Sequence, residues 1–256
     1  MKPTIPTLFL TATLCASALV TRPARADYMD FGQVYINAGM NMAIHDSIVL
    51  DIRRQSESQN TERKASASRG SKAKTPKKAL TTTTYRESSA VHNRVLTRFT
   101  DWVATHTNAT DAAAIRRDFE NDMLGRWAKE SSKNGLKRGD VADALTAYWV
   151  TNWMIANRVT SDPKPAQVRA VRRFFVSALS STPAFARATN AQRQEMAEGY
   201  IYSAVLQDGA FGQVFHTGDK ALIQRYSDGR AASFKKEMGL DLRTVQLTDA
   251  GFAAKA

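Results

Sequence analysis

Three arginines, Arg169, Arg172 and Arg173, fall at i, i+3 and i+4 of one expected helix. Their guanidinium groups would share a face and together suit a phosphate or carboxylate. A plain solvated face explains the same spacing. Trp149, Asn152 and Trp153 form a second group, with an amide among indoles, and the aromatic stretch 209–218 adds Phe211 and His216. These five would line a small-molecule pocket, rings giving contact and the amide and imidazole giving orientation. If Asn152 lies in the core instead, its amide must bond a neighbouring backbone group. Glu195 and Glu198 are the carboxylates that a hydrolase of envelope polymers would use for general acid–base work.

Other chemistries find less footing. The histidines at 45, 92, 106 and 216 never stand at i, i+4 and belong to no metal-ligand pattern, so neither metal nor cofactor is expected. Asp118 and Asp122 share a helix face beside the core-facing Phe119 and Met123, which reads as the wet side of an amphipathic helix. The stretch GQVFHTGDK, Gly212 to Lys220, departs from a phosphate loop. Its glycines stand one residue too far apart, Asp219 precedes the lysine, and no strand leads into it. His216, Thr217 and Asp219 remain a cluster to watch, but no G-x-S-x-G nucleophile elbow accompanies them. Asn108-Ala109-Thr110 has the pattern of a glycosylation acceptor.

The elements that would position these groups are helical throughout the body, 85–256. The first helix is expected over Tyr85–Thr105, with Val91, Val95, Phe99 and Trp102 in one stripe. The second, capped by Thr110, carries Ile115, Phe119, Met123 and Trp127 four residues apart and ends near Gly135. The third opens at Asp140 and is apolar on nearly every side from Val141 to Ile155, which places it at the centre. The fourth spans Pro165–Leu179, with Val168, Val171, Phe175 and Leu179 inward. After a turn around Phe185, Thr189 or Asn190 caps the fifth, which carries Met196, Tyr200, Ile201, Val205 and Leu206. Residues 209–218 read as a loop, and the sixth helix runs from Asp219 to Met238, stopped by Gly239. The tail, LDLRTVQLTDAGF, reads as an extended segment docked on the bundle rather than a strand in a sheet. The expected fold class is all-α, a single bundle of about six helices around a buried aromatic one.

Ahead of the body stand three further segments. Residues 1–26 have the form of a cleavable export signal: Lys2, a short apolar run to Val20, and Ala24-Arg25-Ala26 before the expected cut. The only cysteine, Cys15, lies within it; Leu14 argues against a lipid-attachment site. The expected mature chain therefore has no disulfide and no thiol chemistry. Residues 27–52 carry Ile44, Ile48 and Ile52 at helical spacing, and a helix is expected over 33–53. Residues 53–84 hold nine basic and two acidic side chains and one large apolar one, Leu80, the composition of a disordered tether. As a coil it would span on the order of 30 Å. The chain carries a net charge of +12. For an exported protein that favours weak contact with anionic polymers or lipid head groups over nucleic acid, and no transmembrane span is expected after cleavage.

The run GDVADAL at 139–145 with the aromatic stretch through Asn152-Trp153, the arginine-bearing helix at 165–179, and the ending GLDLR with LTDAGF together resemble a family of exported bacterial helical proteins of unknown function. The resemblance spans about 85–252 and rests on caps, core aromatics and a docking tail. It implies a periplasmic or secreted protein and no particular reaction. The expected function is partner association in the envelope or outside the cell without catalysis, with the small-molecule binder and the polymer hydrolase as alternatives.

Overall fold

The computed structural model describes residues 82–255. The expected signal, the 33–53 helix and the tether up to residue 81 lie outside them. Eight α-helices and a two-stranded hairpin make up the described body. They are α1 Ser89–His106, α2 Ala109–Glu120, α3 Met123–Ser131, α4 Val141–Asn157, α5 Pro165–Ser181, α6 Pro183–Ala186, α7 Asn190–His216, α8 Lys220–Met238, β1 Val245–Thr248 and β2 Gly251–Ala254. The all-α class holds.

Helix α4 is central because it offers no polar side to water. Every residue from Val141 to Ala156 is buried except Trp153. It packs on α5, α7 and α8. Trp149 meets Phe234 edge-on at 4.9 Å and Phe175 at 5.5 Å, the offset geometry aromatic rings prefer. Asp140 caps α4, its Oδ1 accepting from Ala142 N at 2.9 Å.

Several boundaries differ from expectation. The second helix is two: Asp122 sits at φ 48° and its carboxylate accepts from Gly125 N. Asp tolerates the left-handed region and then caps the following helix, so the chain turns without losing its bonds. Arg126 donates to the Asp118 carbonyl at 2.6 Å, closing the end of α2. Ile115, Phe119, Met123 and Trp127 are all still buried. Asn108, not Thr110, caps α2, accepting from Asp111 N at 3.0 Å.

The expected loop at 209–218 is instead helical as far as His216, which makes α7 27 residues long. Gly209 and Gly212 each disfavour a helix by about 1 kcal/mol relative to alanine. Burial of Ala210, Phe211 and Val214 outweighs that penalty.

The tail is a second correction. It forms an antiparallel hairpin with Val245 opposite Ala254 and Thr248 opposite Gly251. The hairpin docks through side chains: Trp153 Nε1 donates to Val245 O at 3.0 Å and Gln167 Nε2 to Leu247 O at 3.1 Å. Gly251 has φ +109°, a conformation disfavoured for any residue with a Cβ, and its backbone lies against that of Ala170.

The body also begins earlier than its apolar pattern suggests. Val141 N donates to Thr83 O and Tyr85 N to Gly139 O, both at 3.0 Å. Thr83 and Tyr85 are buried while Thr84 faces out, so residues 82–88 form an extended strap laid along the start of α4.

Candidate functional site

Two polar clusters lie on either side of this strap. The first is the pairing of Arg172 with Asp140 and Asp143. Asp140 and Asp143 share the first turn of α4, and Arg172 reaches them from α5. Arg172 Nη2 bonds Asp140 Oδ2 at 2.9 Å and its Nε bonds Asp143 Oδ1. Asp143 is fully buried and also accepts from Lys137 N at 2.9 Å. Burial, then the neighbouring Asp140 charge, pushes the Asp143 carboxyl up to about 6, against the pull of Arg172. The same two carboxylates raise Arg172.

The second cluster holds the strap to α7. Asn190 accepts from Arg86 N and donates to Arg86 O, both at 2.6 Å. One turn on, Gln194 accepts from Ser88 N at 2.9 Å and donates to Ser88 O at 3.0 Å. Two amide side chains thus read alternate peptide units as a neighbouring strand would. Gln194 also donates to Glu198 Oε1 at 2.8 Å, and Glu198 Oε2 lies 3.0 Å from Nδ1 of His92 on α1. Burial raises the Glu198 carboxyl; Gln194, His92 and Arg138 oppose it. Beside it the Tyr85 hydroxyl is buried, and burial together with the Glu198 charge pushes its titration upward.

The residues singled out in the sequence are dispersed. Trp149 and Asn152 are wholly interior; Asn152 donates to Tyr148 O at 2.7 Å, a bond back to its own helix. Trp153 is half-buried and commits its N–H to the hairpin. Phe211 borders a small space shared with Met154, Ile155, Val159, Asp208 and Phe215. That space measures about 10 Å³, room for roughly one water. Burial pushes the Asp208 carboxyl well above its ordinary range, and the nearby Asp162 charge adds to this. His216 is exposed as the last residue of α7. Of the three arginines, Arg169 and Arg173 face solvent, whereas Arg172 turns inward to its two carboxylates.

Glu195 is paired with Arg94 at the surface, and Glu198 is fully buried. Sequence reasoning missed Asn190, Gln194 and the partnership of His92 with Glu198. Their signal was faint: two amides and an acid spaced by four residues at the start of an otherwise apolar helix. Among the described residues no three His, Cys, Asp or Glu side chains gather to hold a metal, and no helix is long and apolar enough to cross a membrane.

Compared with known proteins, residues 3–255 match the model of a family described as a family of unknown function, DUF6683. The match extends well ahead of the 85–252 span over which the resemblance was drawn. No curated protein and no solved structure matches.

Proposed function

The chain belongs to this family of unknown function, DUF6683, over nearly its whole length, and from that premise we propose that it is an exported, non-enzymatic protein acting by association with an envelope or secreted partner. The observation that carries this reading is how the chemistry-bearing side chains of the body are used. Arg172 is spent between two buried carboxylates, Glu198 is sealed, and Asn190, Gln194 and Asn152 bond backbone. A body that commits such groups to holding helices and strap together presents a rigid surface. The small-molecule reading is weaker, because the space beside Phe211 holds about one water. The proposed export rests on the sequence of residues 1–26.

Two measurements test the reading together. N-terminal sequencing of the protein recovered from outside the cytoplasm is expected to begin at Asp27. Cross-linking in intact cells is expected to join the full chain to one recurrent partner, and deletion of residues 27–81 is expected to weaken that link. Retention in the cytoplasm with an intact Met1, or cross-links scattered with no recurrent partner, overturns it.

A further inference from the structure

A single chain of hydrogen bonds crosses the seam between strap, α1 and α7, and it leaves a carboxyl proton one place to sit. The Ser88 N–H can only donate, so Gln194 must present Oε1 to it, at 2.9 Å. That choice turns Gln194 Nε2 towards Ser88 O at 3.0 Å and Glu198 Oε1 at 2.8 Å. Both amide protons are then committed, and Glu198 Oε1 can only accept. A proton on this carboxyl must ride on Oε2, which faces His92 Nδ1 at 3.0 Å.

One proton between the two groups is accommodated in either position. Imidazolium donates to carboxylate, or carboxylic acid donates to imidazole. Two protons are not accommodated: O–H and N–H then face each other and neither accepts. Glu198 is fully enclosed, whereas the His92 side chain is 28% exposed and can turn out to water.

We propose that His92 and Glu198 form an acid-released latch: a second proton breaks the Oε2–Nδ1 bridge, His92 swings to solvent, and the start of α1 with its strap loosens from α7. Burial of Glu198 favours its neutral form, and with His92 turned out to water the pair holds two protons where the bridged pair holds one, so acid favours the released state. The charged groups that face the pair are otherwise engaged. Glu87 on the strap is held by Arg138 at 2.6 Å, and Glu195 on α7 by Arg94 of α1. Arg138, in the turn before α4, offsets part of what burial does to Glu198. Tyr85, with its titration pushed upward, keeps its proton throughout.

Hydrogen exchange of the amides of residues 83–95, followed in the full chain from about pH 8 to about pH 4 and corrected for intrinsic rates, reads the latch. Protection is expected to fall roughly tenfold through mild acid as a charge-assisted bond is lost. His92→Asn keeps an amide at the Nδ1 position that donates to a carboxylate and, turned over, accepts from a carboxylic acid, so its protection stays level. Glu198→Gln behaves oppositely. Its Oε1 is held by Gln194, it presents NH2 to His92, and one proton on the imidazole is enough to break contact, so release moves to higher pH. A His92→Asn profile that follows the parent, or a Glu198→Gln release at the same or lower pH, overturns the proposal. Each variant is compared with its own neutral-pH protection; if Glu198→Gln does not fold, His92→Asn decides alone.

Discussion

Arg172 stands between two carboxylates that have no other cation at hydrogen-bond distance among the described residues. Removing it leaves Asp140 and Asp143 without their counter-charge and hydrogen bonds inside the bundle, so Arg172→Ala is expected to cost about 3 kcal/mol in chemical denaturation. Asp143 sets a pH dependence of definite sign. Its carboxyl rises from 3.8 to about 6 on folding, so between those values the folded chain keeps a proton that the unfolded chain has released. Its contribution is complete below pH 3.8 and is lost as pH climbs through 6. Denaturation across that interval is expected to show a loss of stability in the parent that is smaller in Asp143→Asn by the share this carboxyl supplies, the raised Glu198 and Asp208 contributing the rest. The spacing of the three arginines was legible in the sequence, but which one turns inward was not. That depends on two aspartates brought opposite by the crossing of α4 and α5, a relation no local pattern carries.

At the scale of elements, the cores of the helices were legible because period and apolar content agreed: Asp140 opens α4, and Gly239 at φ 62° closes α8. The boundaries that slipped were the loop expected at 209–218, where glycines read as punctuation, the break at Asp122, the cap at Asn108 in place of Thr110, and the start of α1 at Ser89 in place of Tyr85. Gly212 is a case with a measurable consequence. Nothing lies within 4 Å of where its Cβ would be, and it sits inside α7. Gly212→Ala is therefore expected to stabilise the protein by about 1 kcal/mol through backbone propensity, read as a higher melting temperature. Gly251 is its opposite. With φ +109° and the Ala170 backbone close by, Gly251→Ala is expected to destabilise by about 1–2 kcal/mol and to loosen the hairpin in proteolysis. Turn geometry of this kind is set by what the segment docks against, so the tail's alternating apolar residues could be read while its pairing could not.

Charge is segregated over the whole chain. Residues 27–52 carry four aspartates and no Lys or Arg, and residues 53–84 carry nine basic residues against two acidic ones. Binding to vesicles with anionic head groups is expected to fall steeply between about 50 and 200 mM salt, and to drop further when residues 53–81 are deleted. Equal binding by the deleted chain would assign the attraction to the body instead. The interior has its own economy: a cysteine-free body gains no disulfide, and Trp149, Trp127, Tyr148 and Tyr202 are among its largest fully buried side chains. The hairpin completes it in a way that bears on behaviour at high concentration. A short sheet usually leaves a row of open carbonyls that a neighbouring molecule can extend into a fibre. Here the Val245 and Leu247 carbonyls of β1 are already occupied by the Trp153 indole and the Gln167 amide. The molecule carries its only described sheet with that edge blocked against templated growth.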